Sequence, residues 1–256
     1  MNDLSGVRVL VTRPMHQAEN LCRLIEEHGG EAIRLPTIEI VACTDLPQRI
    51  SALKSPEPFH WLIFISANAV NFALPAISGK IARFTHARIA AIGRATANAL
   101  ASAGLAIDLL PEQGFDSEAL LAMPQMQCVN GQRILIVRGV GGREDLANTL
   151  RNRGAEVDYL EVYRRLIPDL DCSPVITPLL RDGLDVITVT SIEALQNLLI
   201  MLGEQYHNPL TALPLVAISD RIARVASESG FKRIFVAAGP ADTSILETVT
   251  MCTTGE

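Results

Sequence analysis

Two arginines stand directly after short apolar stretches, where the chain is expected to turn from a strand into a helix. Arg13 follows residues 7–11, and Arg138 follows residues 134–137. A helix that begins beside an arginine offers free backbone N–H groups and a guanidinium, which together bind carboxylate or phosphate. The two turns therefore predict an anion-binding site. The alternative is that both arginines form ordinary surface salt bridges.

The other turns after predicted strands carry similar groups. The further candidates for ligand contact are Ser66, Asn68, Gly93, Thr96, Gly139, Arg143, Ser191, Ser219 and Arg221. They offer hydroxyl, amide, guanidinium or backbone N–H groups to an anion. Serine or asparagine after a strand is equally typical of a helix N-cap, so capping remains the competing interpretation of these positions.

Several other chemistries are disfavoured by the spacing of the reactive residues. Residues 138–143 resemble a dinucleotide-binding glycine turn, but the third glycine is missing and no acidic residue ends the next strand in the right context. No serine lies in a GxSxG motif, and the five histidines show no HxxxH or HExxH spacing. The five cysteines are scattered singly. We expect no nucleotide site, no catalytic triad and no metal.

The composition restricts the partners and the location. The chain of 256 residues has a formal net charge of −6, whereas a protein that coats nucleic acid needs a basic surface. Its apolar runs are far shorter than the roughly 20 residues that span a bilayer. The first residues lack the basic and apolar regions of a signal peptide. These features predict a cytoplasmic protein without a nucleic-acid or membrane partner.

The candidate turns belong to a repeated pattern of strands and helices. Arg13 and Arg138 are 125 positions apart, as are Leu21 and Leu146; further along, Asp116 and Asp242 are 126 apart. One additional residue in a loop explains why the offset changes from 125 to 126. Alternating strands and helices with short loops predict parallel sheets covered by helices on both faces, with ligands beyond the carboxyl ends of the strands. We therefore predict an α/β fold with two similar halves.

Five motifs in a fixed order resemble the uroporphyrinogen-III synthase family. They are Val-Thr-Arg-Pro at 11–14, Ile-Ser-Ala-Asn-Ala-Val at 65–70, Ala-Ile-Gly-Arg-Ala-Thr-Ala at 91–97, Arg-Gly-Val-Gly-Gly-Arg at 138–143 and Glu-Val-Tyr-Arg-Arg at 161–165. Each motif is weak alone, but the five together are specific, and the resemblance extends from about residue 6 to residue 248. In one turn, Ser219-Asp220-Arg221-Ile222 replaces a hydroxyl-rich family motif, and Asp220 would repel a carboxylate.

The resemblance implies a particular domain organisation. It suggests two flavodoxin-like parallel-sheet domains joined by a two-stranded linker. Domain 1 would combine residues 1–36 and 168–256, domain 2 would comprise residues 41–163, and residues 37–40 and 164–167 would be the interdomain linkers. The first strand-helix-strand unit would then fold with the C-terminal third of the chain.

The resemblance also implies a function in haem biosynthesis. Members of the family cyclise hydroxymethylbilane to uroporphyrinogen III with inversion of the last pyrrole ring and loss of water, and they use no metal or cofactor. Tyr163 matches the family's linker tyrosine and would be catalytic, while the candidates named above would bind the substrate between the domains. We expect a monomer that receives its substrate from the preceding bilane-forming enzyme. The alternative is a two-lobed protein that binds an anionic ligand without catalysis.

Overall fold

The computed structural model describes residues 4–52, 58–77, 86–114 and 116–254. Contacts divide this chain into two compact units. Unit 1 contains the described residues up to Glu39 and from Leu166 onward, and unit 2 contains those of Ile40–Arg165. Within the described ranges, none of the helices has both the length and the apolar character needed to cross a membrane.

Ten strands and twelve α-helices are present in these ranges. The strands are β1 (Arg8–Val11), β2 (Glu31–Arg34), β3 (Glu39–Ala42), β4 (Trp61–Phe64), β5 (Arg88–Ala91), β6 (Arg133–Gly139), β7 (Glu156–Leu166), β8 (Val186–Val189), β9 (Leu215–Ala217) and β10 (Ile234–Val236). The helices are α1 (Met15–Glu27), α2 (Leu46–Ala52), α3 (Ala67–Ile77), α4 (Arg94–Ser102), α5 (Ser117–Ala122), α6 (Pro124–Gln127), α7 (Asp145–Asn152), α8 (Ser173–Leu179), α9 (Ile192–Leu202), α10 (His207–Ala212), α11 (Asp220–Glu228) and α12 (Asp242–Thr254).

Unit 1 contains a five-stranded parallel sheet in the order β10-β9-β8-β1-β2. The central strand β1 pairs with β2 on one side and with β8 on the other. If β1, β2, β8, β9 and β10 are numbered 1 to 5, the order read from β2 is 2-1-3-4-5, which is the arrangement of flavodoxin-like sheets. The strand order reverses between β1 and β8, and a sheet of this type binds its ligand at the carboxyl edge beside that reversal.

Unit 2 repeats the arrangement with strands from the opposite halves of the sequence. Its sheet has the order β3-β7-β6-β4-β5, and β7, β6, β4 and β5 pair in parallel. A parallel bridge between Ala90 and Leu109 extends the sheet at the place that β10 occupies in unit 1. The reversal in unit 2 lies between β6 and β4.

Apolar side chains cover both faces of each sheet. All four residues of β4 and all four residues of β8 are buried, as is typical of strands in the centre of parallel sheets. In each unit, one apolar cluster lies on either face of the sheet and packs against the flanking helices. The predicted α/β class with two parallel sheets is confirmed.

The two halves differ where the first helix of each begins. Helix α1 begins at Met15, directly after Pro14, whereas α7 begins only at Asp145, the position equivalent to Asn20. Residues 140–144 form a loop in place of the first helical turn. Gly141 and Gly142 have φ angles of 73° and 97°, a left-handed backbone that interrupts the helix.

Candidate active site

In unit 2, the predicted residues gather at the carboxyl edge of the sheet. Ser66 follows β4, Gly93 follows β5, and Arg138 and Gly139 end β6. Since β4 and β6 are neighbours at the reversal of strand order, their turns lie at the position where a ligand is expected.

An irregularity in the sheet determines where Tyr163 lies. Arg138 of β6 is paired with Glu161 of β7, but the next residue, Gly139, is paired with Tyr163. One extra residue on β7 therefore forms a bulge, which re-aims the side chain that follows it. The backbone N–H of Val140 donates to the carbonyl oxygen of Tyr163 at 2.8 Å and fixes the strand beyond the bulge.

The Tyr163 ring lies against the backbone of Gly139. A Cβ atom at position 139 would lie 2.6 Å from Cε2 of Tyr163, closer than any such contact allows. The ring is 4% exposed, and its centroid lies 5.8 Å from that of Phe72. Gly139 therefore contributes to the site by leaving room for the phenol.

The Tyr163 hydroxyl lies 3.2 Å from Oγ of Ser66. Oγ of Ser66 also accepts the backbone N–H of Ala69 at 3.0 Å. A hydroxyl has one proton and two acceptor lone pairs, so Ser66 can either accept a hydrogen bond from the phenol or donate one to the phenol oxygen. Ser66, Gly139 and Tyr163 thus form one local assembly in which either hydroxyl can be the donor.

The turn after β5 presents mainly backbone. Gly93 is the N-cap of α4 in an extended conformation and provides no side-chain cap. Thr96, in the first turn of α4, is 3% exposed. Asn68, in the first turn of α3, is half-buried. Of these three predicted residues, Asn68 has the most accessible side chain.

Arg138 is a buried cation with a nearby carboxylate. It is 2% exposed, its Nη1 donates to Oε1 of Glu144 at 3.0 Å, and its Nε donates to the carbonyl oxygen of Gly139 at 3.2 Å. Its guanidinium carbon lies 4.6 Å from the centroid of the Tyr159 ring. Arg143, five residues along the same loop, is exposed.

Glu144 connects Arg138 to Tyr159, whose hydroxyl donates to Oε2 of Glu144. The hydrogen bond from Tyr159, together with Arg138, lowers the pKa of Glu144 below its ordinary value. Burial and the same hydrogen bond raise the pKa of Tyr159. At neutral pH this cluster therefore contains a carboxylate, a guanidinium and a protonated phenol.

In unit 1, Arg13 is already paired with a carboxylate. Its Nη1 contacts Oδ1 of Asp242, and its Nη2 donates to the carbonyl oxygen of Pro240 at 3.1 Å. Asn20 donates to the other carboxylate oxygen of Asp242 at 2.6 Å. Arg13 and Arg138 thus both form salt bridges, although neither is an ordinary surface arginine, since their side chains are 12% and 3% exposed. A ligand anion at either position would compete with a carboxylate of the protein.

The serines of unit 1 cap helices. Ser191 is the N-cap of α9, and its Oγ accepts the backbone N–H of Ala194 at 3.0 Å. Ser219 is the N-cap of α11, and its Oγ accepts the N–H of Ile222 at 3.4 Å. Arg221 is exposed next to that cap. Capping therefore accounts for both serines, although each hydroxyl retains a proton that it can donate.

Three residues of these clusters were absent from the sequence-based candidates: Glu144, Tyr159 and Asp242. In the register of the duplication, Glu144 is equivalent to Glu19, Tyr159 to Arg34 and Asp242 to Asp116. The register does not give their partners, because those depend on which side chains the folded units bring together.

Comparison with known proteins connects this arrangement with a family. A model of the family described as uroporphyrinogen-III synthase HemD matches residues 19–247. The uroporphyrinogen-III synthase of Salmonella typhimurium is 35% identical over 231 residues, which cover 90% of this chain and 94% of that protein. The enzyme of the same name from Escherichia coli K12 is 34% identical with the same coverage.

Solved structures share the fold. A crystal structure of a mutant uroporphyrinogen III synthase from Thermus thermophilus has a TM-score of 0.64 at 20% identity and covers 98% of this chain and 100% of that one. The uroporphyrinogen-III synthetase of Helicobacter pylori also has a TM-score of 0.64, at 15% identity, with coverage of 95% and 98%. Because the family model spans most of the sequence and relatives above 30% identity cover nearly all of it, this chain belongs to the uroporphyrinogen-III synthase family.

Proposed function

We propose that this protein cyclises hydroxymethylbilane to uroporphyrinogen III, with inversion of the last pyrrole ring and loss of water. The family match over residues 19–247 supports the reaction. Within the site, the proposal rests on the phenol of Tyr163. Its ring packs against Gly139, and its hydroxyl lies 3.2 Å from Oγ of Ser66, at the carboxyl edge of a parallel sheet.

The substrate is an open chain of four pyrroles with eight carboxylates. We propose that the turns at the carboxyl edges of both sheets bind these carboxylates through arginines, hydroxyls and backbone N–H groups. The proposed binding residues are Arg13, Ser66, Asn68, Gly93, Thr96, Arg138, Gly139, Arg143, Ser191, Ser219 and Arg221. Charge-assisted hydrogen bonds of this type bind anions strongly even in a protein with a negative net charge.

The reaction begins with loss of the substrate hydroxyl, driven by the lone pair of the adjacent pyrrole nitrogen. The hydroxyl leaves as water after it takes up a proton, and an azafulvene remains. Attack on the azafulvene by the substituted carbon of the last ring gives a spiro intermediate, which fragments and closes again with that ring inverted. A proton lost from the last ring during closure balances the proton taken up by the leaving hydroxyl.

We propose that Tyr163 assists the first step. Its phenol can donate a proton or a hydrogen bond to the leaving hydroxyl, and Ser66 can then supply a hydrogen bond to the phenol oxygen. Ser66 thus positions the phenol, while Tyr163 contacts the leaving group.

Control of geometry is the larger task of the protein. In the absence of an enzyme, the bilane closes at its free terminal carbon and gives the type I isomer. The enzyme must therefore hold the last ring so that its substituted carbon reaches the azafulvene first, and it must exclude water from the reactive intermediate.

The decisive assay supplies fresh hydroxymethylbilane and resolves the type I and type III products after oxidation. Type III product is expected to dominate. Type I product alone, formed at the spontaneous rate, would reject the synthase activity and favour a two-lobed protein that binds an anionic ligand without catalysis.

Replacing Tyr163 with phenylalanine tests the proposed acid. We expect kcat to fall about 10- to 100-fold, because proton transfer or a hydrogen bond to the leaving group is lost while the ring keeps its packing. Tyr206→Phe, which removes a phenol hydroxyl outside the site, provides the matched control. An unchanged kcat in Tyr163→Phe would remove Tyr163 from the chemistry.

We also propose that residues 1–36 with 168–256 form one domain, residues 41–163 form the other, and residues 37–40 and 164–167 link them. The division of contacts between Glu39 and Ile40 and between Arg165 and Leu166 supports these boundaries. Solution scattering with and without product tests whether the linkers act as a hinge, since a hinge predicts a change in the scattering curve on binding.

The setting of the reaction follows from the chemistry of its substrate. Because hydroxymethylbilane closes spontaneously, direct transfer from the bilane-forming enzyme would limit loss to the type I isomer. We propose that the protein acts as a cytoplasmic monomer that receives its substrate in this way. Light scattering measures the mass of the protein in solution, and a monomer predicts 27.7 kDa.

A further inference from the structure

The loop after β6 borders a pocket within unit 2. Its volume is about 170 Å³, far more than a single water molecule needs. Polar lining is provided by Arg138, Arg143, Tyr159 and Ser117, and apolar lining includes Ile65 and Ile92. These two isoleucines directly follow β4 and β5, so the pocket lies at the carboxyl edge of the sheet, where sheets of this type bind their ligands.

The pocket lies where unit 2 lacks a helical turn that unit 1 has. In unit 1, α1 continues through this position, and Ala18 is buried at 1% exposure. The repeat equivalent of Ala18 is Arg143, which lies exposed on the loop before α7. The shorter helix thus leaves a space in unit 2 and places a guanidinium beside it.

Arg138 provides the pocket with a buried positive charge. Its side chain is 3% exposed, whereas that of its partner Glu144 is 51% exposed. A Cβ atom on Gly142 would lie 2.9 Å from Nη2 of Arg138, so glycine lets the loop pass close to the guanidinium. A buried guanidinium without a partner is strongly unfavourable, and the exposed carboxylate of Glu144 prevents that state.

Glu144 makes the contacts that a ligand carboxylate would make. One of its oxygens accepts from Nη1 of Arg138, and the other accepts from the hydroxyl of Tyr159. A carboxylate on a flexible arm of the substrate could take up the same two donors. The arm would find room in the apolar part of the pocket.

The pairing of Glu144 with Arg138 differs from the equivalent contact in unit 1, whereas its pairing with Tyr159 has a counterpart there. Its repeat equivalent, Glu19, pairs with Arg34, and Arg34 is the equivalent of Tyr159. Arg13, the equivalent of Arg138, pairs with Asp242 instead. The carboxylate was therefore present in both halves, but only in unit 2 does it cover the arginine at the end of the central strand.

We propose that this pocket receives one carboxylate side chain of the tetrapyrrole, and that Glu144 occupies Arg138 and Tyr159 until that carboxylate replaces it. This inference rests on the proposed function and assigns one subsite to it. The exchange replaces one carboxylate by another, so the buried guanidinium keeps an anionic partner before and after binding.

Glu144→Gln tests the exchange. Glutamine keeps the size of the side chain and an oxygen acceptor, but it removes the negative charge that competes with the substrate. We expect KM for hydroxymethylbilane to fall about three- to tenfold, since a neutral acceptor holds the guanidinium less strongly than a carboxylate does. An unchanged or higher KM would show that Glu144 only stabilises the loop and would overturn the proposal.

Glu118→Gln is the matched control for charge. Glu118 is exposed in α5, next to Ser117 of the pocket, so its replacement removes the same charge from the same region. We expect its KM to stay within twofold of that of the unmodified protein. An equal fall of KM in both variants would mean that general repulsion, and not occupation of Arg138, is responsible, and the proposal would fail.

A second measurement needs no turnover. The Nε–H resonance of Arg138 in the full chain is followed by NMR during titration with glutarate, a small dicarboxylate. We expect a saturable shift in Glu144→Gln at concentrations that leave the unmodified protein almost unchanged; no shift in the variant would overturn the subsite. Because the product assay decides the synthase activity by itself, failure of the subsite and failure of the proposed function are distinguishable.

Discussion

Gly139 determines what can lie beside the phenol of Tyr163. Its missing side chain leaves space that the ring occupies, as shown by the 2.6 Å distance between a hypothetical Cβ and Cε2 of Tyr163. The φ angle plays no part here, since Gly139 is outside the glycines with positive φ. Space alone therefore requires glycine at this position.

Gly139→Ala is expected to destabilise unit 2 and displace the phenol from Ser66. Overpacking of this kind costs about 1–3 kcal/mol in the free energy of unfolding. In a Tyr163→Ala background the cost should largely vanish, because the clashing ring is absent. Urea unfolding of the two single variants and the double variant measures this coupling, and additive effects would contradict the proposed contact.

At the residue scale, the sequence predicted which residues lie in the turns after the strands, but it did not predict which of their side chains contact one another. Ser66, Gly139 and Tyr163 were all candidates, but their assembly depends on a bulge that shifts the pairing of β6 and β7 by one residue. No pattern in the sequence marks that bulge. Glu144 was not a candidate, because the duplication relates it to the carboxylate of Glu19 but does not indicate that it pairs with Arg138.

Helix caps occupy several of the proposed binding positions. Ser191 and Ser219 each accept a backbone N–H of the helix that they begin, and Ser66 does the same for Ala69. A residue with two roles can be studied by substitutions that remove one role at a time. Ser191 suits this purpose because its capping bond, at 3.0 Å, is well formed.

Ser191→Ala should lower the free energy of unfolding by about 1 kcal/mol, because the cap of α9 is lost. Ser191→Asp should retain the stability, since aspartate caps equally well, but its charge would repel a substrate carboxylate at this turn. If Ser191 contacts substrate, KM rises in Ser191→Asp. Unfolding curves and KM together separate the roles, and an unchanged KM would restrict Ser191 to capping.

At the scale of elements, the predicted α/β fold with parallel sheets is confirmed, because hydrophobic periodicity and the repeat both indicate alternating strands and helices. The 125-residue offset relates α3 to α9, and the 126-residue offset relates α4 to α11, so the extra residue falls between these pairs. The late start of α7 was not predicted. It depends on the left-handed glycines 141 and 142, whose conformation a single sequence does not fix.

The whole molecule is assembled from strands distant in sequence. β1 lies between β2 and β8, and β8 comes from the other half of the chain. Unit 2, in contrast, is continuous from Ile40 to Arg165. The 125-residue repeat therefore identifies the duplication, whereas the compact units follow from strand pairing.

Separate expression of the parts tests this topology. We expect residues 40–165 alone to unfold cooperatively in urea, because they contain both apolar clusters and all of the sheet except the first residue of β3 and the last residue of β7. Residues 166–256 alone should show no cooperative transition, since their sheet lacks β1 and β2 and leaves the edge of β8 unpaired. Circular dichroism during urea titration provides the measurement, and a cooperative transition in the second fragment would contradict the expectation.

The long-range pairing of β1 also has a consequence during synthesis on the ribosome. The backbone N–H of Arg8 in β1 donates to Asp185, 177 residues later in the chain. At roughly 5–20 residues per second, the first strand waits about 9–35 s for this part of its sheet to be made. All of unit 2 is synthesised within that interval, so the apolar β1 must remain soluble in the nascent chain, and a chaperone that shields it would act on residues 7–11 before any other strand of unit 1.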